Sequence, residues 1–499
     1  MRALAFPFLC LSLFTAGAWA QESASPAPDF EALAERWQAA MADLRVPGLA
    51  VVVVRNDEVI YRGTFGIRNA DAEPVTPATP FYVASCTKSF VAMALLTLAD
   101  EGKLDLDAPV RDYLPRFGLA DTEATAELTV RELLCHAPGL ESDPIVFLDA
   151  YTGEITEDRY YRLLRDVAPT GETTYSNVHY TLAGRVLAAI TGQPWREALA
   201  AQVLQPAGMT QTTGYADAMY AEDDVAIPMV ATGTDGGFEP CAMRKTDATM
   251  HAAGGLGASI DDLGRWLRLN LGGGEIDGRR VVSADAVRAM QTQQAALPNP
   301  SGRLREMLGF GLGWQVGTFR GRSYVQHGGG YSGAAAHISM LTEDKFGVAA
   351  VANASASGHA LIEVVSIDVY DALLGTKDKD YLPGFARQIE AYMARRATAP
   401  EPATEGEGLA APVTEYAGTY SHPELGTLRV TASDGQLHAT LGALRAQLVP
   451  TGGERFVLWV EPEWQATGAF TLDGGRPVAA LLDVAGAEGE RFERAAGDH

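Results

Sequence analysis

The sequence is poor in cysteine. Only four occur in 499 residues, and Cys10 falls inside an N-terminal apolar stretch, which leaves Cys86, Cys135 and Cys241. Three cysteines cannot build a disulfide scaffold, and because the number is odd, at least one is free or pairs with another molecule. Their spacing does not match a metal site, and no His-Glu-x-x-His pattern occurs. We therefore predict neither a metal nor a cofactor.

Positive charge is also scarce. The chain has 39 Lys and Arg against 63 Asp and Glu, a net charge of -24. Such a balance disfavours nucleic acid and anionic lipid surfaces as partners. Beyond the first twenty residues, no apolar run is long enough to span a bilayer. The sequence therefore predicts a protein without nucleic-acid partners or membrane insertion, and it is compatible with a monomer or a homo-oligomer.

The first twenty residues have the pattern of a signal peptide. Arg2 gives a positive start, the segment from Leu4 to Phe14 is apolar, and Ala18-Trp19-Ala20 is a small-x-small cleavage site. The segment is too short for a membrane span. We expect cleavage of residues 1–20 and export to the bacterial periplasm or the medium.

Residues 21–395 alternate between helical and strand patterns. Apolar residues recur at helical spacing from Phe30 to Leu44, and the apolar run from Gly48 to Val54 is typical of a buried strand that opens a hairpin. Three more strands are expected within residues 322–352, and a helix over 359–374. We predict an α/β (α+β) domain in which helices flank a mostly antiparallel sheet, with an all-helical subdomain. The polar segment 141–174 is expected to fold over the site.

The pattern changes after residue 395. Residues 396–413 are rich in Ala, Pro, Glu and Gly without periodicity, which indicates a linker. Residues 414–499 contain short alternating runs, and Asp434-Gly435 and Asp473-Gly474 are typical of hairpin turns. We predict a small all-β C-terminal domain, either a barrel or a sandwich.

The motif Ser85-Cys86-Thr87-Lys88 stands at the head of an apolar helical run that contains no Gly or Pro before Gly102. Residues three apart share one face of a helix, so the Ser85 hydroxyl and the Lys88 amine can meet. Burial disfavours the charged amine, which makes Lys88 a usable base, and the helix dipole favours negative charge developing at Ser85. A serine in this position is also an ordinary helix cap, so the catalytic interpretation depends on the other motifs.

Tyr175-Ser176-Asn177 precedes a second helical stretch. A Tyr175 phenol held near Lys88 is either ionised or shares the lysine's proton, and it then protonates the leaving group. Asn177 is able to accept a hydrogen bond from Lys88 and to donate one to a substrate carbonyl. Together with Ser85 and Lys88, this motif predicts acyl transfer.

The third motif, His327-Gly328-Gly329, ends a predicted strand. Glycines allow the backbone to approach a substrate and to direct an N–H group at an oxyanion. We expect the oxyanion donors to be the amides of Gly330 and Ser85. His327 is open to three interpretations: a general acid, a substrate contact, or a residue that only fills the strand end. His136, His179, His251 and His337 are expected to be structural.

The three motifs, in this order and spacing, resemble the serine β-lactamase and penicillin-recognising hydrolase superfamily, and most closely its branch of class C β-lactamases, D-alanyl-D-alanine carboxypeptidases and esterases. The resemblance covers roughly residues 30–375 and implies a β-lactamase/transpeptidase-like fold. The C-terminal segment looks like the lipocalin-like domain that some of these hydrolases append. Supporting stretches are Gly102-Lys103-Leu104-Asp105-Leu106, Leu133-Leu134-Cys135-His136-Ala137-Pro138-Gly139-Leu140 and Gly254-Gly255-Leu256.

The third motif departs from the Lys-Thr-Gly that is common in true β-lactamases. A lysine there helps to hold the substrate carboxylate, whereas a histidine is mostly neutral and reaches less far. We therefore expect an exported serine hydrolase that acts on esters, D-amino-acid peptides or related amides. The alternatives are a true β-lactamase and a non-catalytic ligand-binding protein on the same fold.

Overall fold

The computed structural model describes residues 28–232, 237–302, 304–376, 379–396, 408–461 and 464–496. The predicted signal peptide and most of the predicted linker lie outside these ranges. The described residues form an α/β domain and, after residue 408, a closed β-barrel. Within them, no helix combines the length and apolarity that crossing a bilayer requires, and no cluster of His, Cys, Asp or Glu side chains is arranged to hold a metal ion. Cys86, Cys135 and Cys241 are buried and form no disulfide.

An antiparallel sheet of eight strands lies at the centre of the α/β domain, in the order β2-β1-β14-β13-β12-β11-β10-β9. The strands of this domain are β1 (Gly48–Arg55), β2 (Glu58–Gly66), β3 (Pro80–Tyr82), β4 (Met229–Thr232), β5 (Gly237–Pro240), β6 (Gly257–Ser259), β7 (Glu275–Ile276), β8 (Arg279–Arg280), β9 (Ala295–Ser301), β10 (Arg305–Phe310), β11 (Gln315–Phe319), β12 (Arg322–Tyr331), β13 (Ala334–Leu341) and β14 (Phe346–Ala352).

Helices cover both faces of the sheet, and one short helix packs against the C-terminal barrel instead. The helices are α1 (Phe30–Leu44), α2 (Thr87–Asp100), α3 (Val110–Tyr113), α4 (Thr122–Glu127), α5 (Val130–Leu134), α6 (Asp143–Phe147), α7 (Glu157–Leu164), α8 (Asn177–Thr191), α9 (Trp195–Leu199), α10 (Ala216–Met219), α11 (His251–Gly254), α12 (Ile260–Leu271), α13 (Ala284–Gln291), α14 (Ala356–Leu374), α15 (Leu382–Arg396) and α16 (Val413–Tyr416), of which α16 is the one at the barrel. A 3₁₀ turn (Ala84–Cys86) precedes α2, and π-helical turns occupy Leu148–Thr152 and Ala200–Leu204.

Strand β1 explains why the apolar run at residues 48–54 is continuous. Successive side chains of a strand point to opposite faces, and here both faces are covered. Val52 belongs to the core that contains α2, α8 and α12, whereas Val51 and Val53 belong to the core between the sheet, α1 and α14. The predicted helix α1, the β1–β2 hairpin and the antiparallel sheet flanked by helices are therefore confirmed.

Strands β9, β10 and β11 extend the sheet beyond the strands that the sequence predicted. β9 contains Pro298 and Pro300, which cannot donate to a ladder, and it lies at the sheet edge, where this loss is tolerated. The register of β10 shifts between Met307 and Gly309, which interrupts the alternation of side chains. The period-two pattern is therefore too weak in this segment to reveal the strands.

The C-terminal strands close into a barrel in which β22 pairs with β15. They are β15 (Gly418–His422), β16 (Gly426–Ser433), β17 (Gln436–Leu441), β18 (Leu444–Gly452), β19 (Arg455–Glu461), β20 (Trp464–Asp473), β21 (Arg476–Leu482) and β22 (Glu490–Arg494). The prediction of a barrel or a sandwich is resolved in favour of the barrel. The predicted turn at Asp434-Gly435 is confirmed, with φ values of 50° and 75°. The other turn lies one residue later, at Gly474-Gly475, because Asp473 pairs with Arg476.

The barrel packs against the segment that contains α6 and α7. The backbone N–H of Ala443 donates to the Thr152 carbonyl oxygen at 2.7 Å, and Arg162 of α7 forms an ion pair with Glu424 at 2.7 Å. The polar segment 141–174 therefore lies against the barrel, whose strands contribute to the same contiguous apolar core as α2.

Candidate active site

Ser85 lies in the 3₁₀ turn immediately before α2, half-buried, with its neighbours Ala84 and Cys86 fully buried. Ala84 adopts φ 45°, which is unfavourable for a residue with a Cβ. Such a conformation costs about 1–3 kcal/mol and persists only where the surroundings hold it. Here the N–H of Val83 donates to the Leu256 carbonyl oxygen at 3.0 Å, and Thr87 Oγ accepts from the Leu256 N–H at 3.0 Å.

Lys88 is completely buried and makes three hydrogen bonds from Nζ. The acceptors are Ser85 Oγ at 3.2 Å, Asn177 Oδ1 at 2.8 Å and the Ala253 carbonyl oxygen at 2.6 Å. Desolvation lowers the pKa of Lys88 to about 7, and it outweighs the opposing influence of the Asp149 carboxylate. A lysine with this pKa is partly neutral at physiological pH and is able to accept a proton.

Tyr175 lies beside Lys88. Its ring centroid is 4.8 Å from Lys88 Nζ, and the residue is 37% exposed. Desolvation raises the pKa of the Tyr175 hydroxyl, and a hydrogen bond with the Ser85 side chain opposes this only in part. A raised pKa favours the protonated phenol, in which form Tyr175 is able to donate a proton.

Local contacts explain how Tyr175 and Asn177 are placed. The N–H of Ser176 donates to His136 Nδ1 at 3.3 Å, and the Ser176 hydroxyl accepts from the Val178 N–H and so caps α8. The His136 ring lies 4.8 Å from the Tyr175 ring. Asn177 is the first residue of α8, which directs its side chain at Lys88. His136 is therefore a structural residue that supports this motif.

His327 is buried near the other end of the site, with its ring 6.1 Å from that of Tyr175. Its Nδ1–H donates to the Gly328 carbonyl oxygen at 2.7 Å, which leaves Nε2 as an acceptor. Desolvation, followed by the nearby Lys88, lowers the pKa of His327 to about 3. A neutral imidazole cannot replace the charge of a lysine at this position. Its one N–H proton is engaged in the hydrogen bond to the Gly328 carbonyl oxygen, so His327 is poorly placed to act as a general acid.

Gly329 explains why this motif contains glycine. A Cβ at this position would overlap the Val83 carbonyl oxygen and would lie 3.1 Å from the backbone nitrogen of Ser85. The end of β12 therefore presses directly against the turn that carries Ser85. Among the described residues, β11 pairs with β12 only as far as Gln326, so the outer edge of β12 from His327 to Tyr331 is not occupied by a neighbouring strand.

A polar cavity of about 270 Å³ adjoins this edge. Tyr175 and His327 line it on one side, and Arg305 and Glu363, which form an ion pair, line it on the other. Desolvation raises the pKa of Glu363. The cavity is a polar space beside Tyr175 and His327, and the two charges of its ion pair neutralise each other.

The structure thus brings together Ser85, Lys88, Tyr175, Asn177 and His327, and it places Gly329 and Gly330 on the adjoining strand. Sequence reasoning missed the Ala253 carbonyl, which accepts from Lys88, because a backbone group leaves no signature in residue type. The glycine-rich stretch at 254–256 was the available signal. The Tyr82 hydroxyl donates to the Gly254 carbonyl oxygen and fixes this loop beside the Ser85 turn.

Residues 33–364 match the Beta-lactamase family, and residues 403–494 match a domain of unknown function, DUF3471. The chain belongs to the Beta-lactamase family. It is a hydrolase with the serine β-lactamase fold, as the resemblance of the three motifs implied.

Relatives of this β-lactamase-family hydrolase include the unguisins hydrolase ungD of Aspergillus violaceofuscus, 26% identical over 433 residues, which cover 79% of this chain and 76% of that protein. Penicillin-binding protein 4 of Amycolatopsis lactamdurans is 27% identical over 317 residues, 62% of this chain and 81% of the relative. Among solved structures, the octameric penicillin-binding protein homologue from Pyrococcus abyssi has a TM-score of 0.61 at 23% identity. That match covers 93% of this chain and 99% of that chain, and it shows a shared fold.

Proposed function

We propose that this protein is an exported serine hydrolase that forms an acyl-enzyme on Ser85 and acts on esters, D-amino-acid peptides or related amides. The observation that carries the proposal is the buried Lys88, whose amine lies 3.2 Å from Ser85 Oγ and 2.8 Å from Asn177 Oδ1. Its position beside the Ser85 hydroxyl and its pKa, lowered to about 7, allow this amine to act as a base, which ligand binding alone does not require.

In the first step, neutral Lys88 accepts the proton of Ser85 Oγ as that oxygen attacks the substrate carbonyl carbon. The carbonyl π pair moves to oxygen and gives a tetrahedral oxyanion. The backbone N–H groups of Ser85 and Gly330 donate hydrogen bonds to this oxyanion. The close contact between Gly329 and the Ser85 turn supports the assignment of these two donors. Asn177 has its Oδ1 engaged by Lys88 and uses its NH₂ group for a substrate amide or carbonyl.

In the second step, the tetrahedral intermediate collapses and the bond to the leaving group breaks. The neutral Tyr175 phenol gives its proton to the departing oxygen or nitrogen and regains one from the Lys88 ammonium, 4.8 Å from its ring centre. Water then attacks the acyl carbon and gives a proton to Lys88. The second tetrahedral intermediate collapses, the bond between the acyl carbon and Ser85 Oγ breaks, Oγ takes the proton from Lys88, and the carboxylic acid product leaves.

The proposed substrate class follows from His327. A neutral imidazole offers no charge attraction to the carboxylate of a penicillin, whereas esters and small peptides need none. The polar cavity beside His327, with its neutralised Arg305–Glu363 pair, suits a polar uncharged substituent. The relative from Aspergillus violaceofuscus is an unguisins hydrolase, which supports a hydrolytic reaction for this chain.

The first experiment is turnover of p-nitrophenyl esters, D-aminoacyl anilides and nitrocefin by wild type, Ser85→Ala and a matched control, Ser89→Ala. Ser89 lies on the same helix, and its hydroxyl donates to the Cys86 carbonyl oxygen rather than to a group of the site. Loss of a serine nucleophile costs on the order of 10⁶ in kcat, whereas the control is expected to keep most of its activity. Turnover by Ser85→Ala at the wild-type rate would reject the proposal. Nitrocefin turnover at the rate of ester hydrolysis would favour a true β-lactamase instead.

Export, the lipocalin-like character of the barrel and assembly into a homo-oligomer are parts of the same proposal. Expression of the full chain in a bacterial host is expected to give a periplasmic protein that begins at Gln21, as determined by N-terminal sequencing. A cytoplasmic product that retains residues 1–20 would contradict export. Mass in solution decides the oligomeric state.

A further inference from the structure

Glu461 is a buried carboxylate that the mechanism above does not use. It is the last residue of β19, in the barrel, and it is only 5% exposed. Three hydrogen-bond donors from the α/β domain reach its two oxygens. Oε2 accepts from the backbone N–H groups of Ala242 at 3.0 Å and Met243 at 3.3 Å, and Oε1 accepts from the Ser332 hydroxyl.

These donors lie beside β12, the strand that carries Gly330. Ser332 opens the two-residue turn between β12 and β13, two positions after Gly330, the proposed oxyanion donor. The turn is tightly enclosed, because Gly333 has φ +63° and a Cβ there would lie 2.5 Å from Cys241 Sγ. The barrel carboxylate therefore fixes the turn and the 241–243 segment to each other.

A second contact runs from the same hairpin to the Ser85 turn. Trp464, which pairs with Glu461, lies 5.8 Å from the Tyr151 ring, and Tyr151 stacks 6.2 Å from Tyr331 at the end of β12. Tyr331 in turn meets Tyr82 edge-on at 5.8 Å. Tyr82 ends β3, just before the turn that carries Ser85. The barrel thus touches, through packed side chains, both elements that carry the proposed oxyanion amides.

The Arg162–Glu424 contact of the barrel lacks this relation to the site. The Arg162–Glu424 ion pair is solvent-exposed on both sides, and exposed pairs of this kind fix little. A buried carboxylate is costly unless it is fully hydrogen-bonded, so simple docking of two domains does not call for one. The barrel interior is filled by large side chains, including Tyr420 and Phe456, each at most 1% exposed, which disfavours a ligand there.

We infer that Glu461 is a positioning residue of the active site, through which the DUF3471 barrel holds the β12–β13 turn and so keeps the Gly330 amide directed at the oxyanion. The inference rests on the proposed acyl-enzyme mechanism. It gives the barrel a role in the chemistry of the other domain.

The test uses the full chain with Glu461→Ala, Glu461→Gln and Ser332→Ala, and with Glu424→Gln as a control carboxylate at the same interface. The first measurement is the rate of Ser85 acylation by p-nitrophenyl acetate, followed by intact mass and peptide mapping. Misplacement of a reacting group by about 1 Å costs on the order of 10²-fold, which is the slowing expected for Glu461→Ala with KM little changed. Glu461→Gln is expected to fall between Glu461→Ala and wild type, and Glu424→Gln to react at the wild-type rate.

The second measurement is the affinity of phenylboronic acid, which forms a tetrahedral adduct on the serine oxygen and so reports oxyanion alignment directly. Glu461→Ala is expected to weaken it about tenfold, less than the 10²–10³ that removal of an oxyanion donor costs in kcat. A role confined to domain docking would lower thermal stability and leave both the acylation rate and the boronate affinity of the folded protein unchanged.

If Glu461→Ala does not fold, Ser332→Ala decides the matter, because it removes one donor and retains the carboxylate with its two backbone partners. It is expected to slow acylation about fivefold to tenfold, which is less than the full value of one hydrogen bond to a charged group, because Ser332 acts through the turn and not on the substrate. Wild-type acylation rates in folded Glu461→Ala, or in Ser332→Ala where Glu461→Ala does not fold, would overturn the inference. Failure of the wild type to label at Ser85 would instead reject the proposed function, together with the inference that rests on it.

Discussion

The α/β sheet and the barrel are both antiparallel, yet they expose their strands differently. Every residue of β14 is buried because helices cover both faces of the sheet, whereas β16 alternates between buried and exposed positions around one interior. The barrel has no sheet edge, since β22 closes on β15. The sheet is open beyond Gln326 on one side of β12, and that edge adjoins the Ser85 turn. In the proposed mechanism the chemistry lies at this open edge, and the closed barrel contributes through Glu461 at the end of β19.

Replacement of Lys88 is expected to cause the largest loss of activity at the open edge of the sheet. Lys88→Met removes the base but retains an apolar chain of similar length in a fully buried site. General-base catalysis contributes about 10²–10⁴-fold, so kcat for a p-nitrophenyl ester is expected to fall by roughly 10⁴. Lys103→Met, at an exposed lysine beyond the same helix, is the control. Activity within tenfold of wild type would remove Lys88 from the mechanism.

A barrel-core substitution tests the closed side of the comparison. Phe456→Ala deletes a ring that is 1% exposed and lies 4.8 Å from the Phe470 ring. Deleting a buried aromatic side chain costs about 3–5 kcal/mol of unfolding free energy, measured by urea denaturation. Val457→Ala, at the next and less buried position of β19, is expected to cost less than about 1 kcal/mol. Equal costs would show that the barrel interior is not a packed core.

A methyl group on β12 tests the contact between the open edge and the Ser85 turn. Gly329→Ala would drive its Cβ into the Val83 carbonyl oxygen and separate the two elements. A shift of about 1 Å costs on the order of 10²-fold in kcat. Gly328→Ala is the matched control, because a Cβ there meets no atom within 4 Å. If both variants lose activity equally, the close contact has no part in catalysis.

The smallest effect on activity is expected when the buried carboxylate of Asp149 is replaced. Asp149 accepts from the Thr181 hydroxyl at 3.3 Å, and its charge raises the pKa of Lys88. Asp149→Asn is therefore expected to lower that pKa and to move the rising limb of the kcat/KM profile to lower pH, with less than a tenfold change in the maximum. A shift to higher pH, or none, would contradict this electrostatic link.

The proposed site residues could be named from the sequence because side-chain type and spacing carry their signal. Ser85 and Lys88 are three apart at the start of α2, and Tyr175 and Asn177 stand at the start of α8. Their meeting across the fold came from the family resemblance rather than from periodicity, since no local pattern encodes a contact between residues 88 and 177.

What the sequence could not predict depends on backbone and interface. Three main-chain features could not be read from residue types. They are the Ala253 carbonyl that accepts from Lys88, the positive φ of Ala84, and the close contact of Gly329 with the Val83 carbonyl oxygen. Strand β9 contains two prolines and is recognisable only once its place at the edge is known. Glu461 gave no signal because an isolated glutamate in an alternating strand is usually solvent-facing.

The pH dependence of Ser85 labelling tests the central claim most directly. A fluorophosphonate probe is applied between pH 5 and 9, and the labelled peptide is identified and quantified by mass spectrometry. Because burial lowers the pKa of Lys88 to about 7, the base is protonated and inactive below that pH, and labelling is expected at Ser85 alone with a rate that rises through about pH 7. Labelling of another residue, or a Ser85 labelling rate that does not change across this range, would contradict the account.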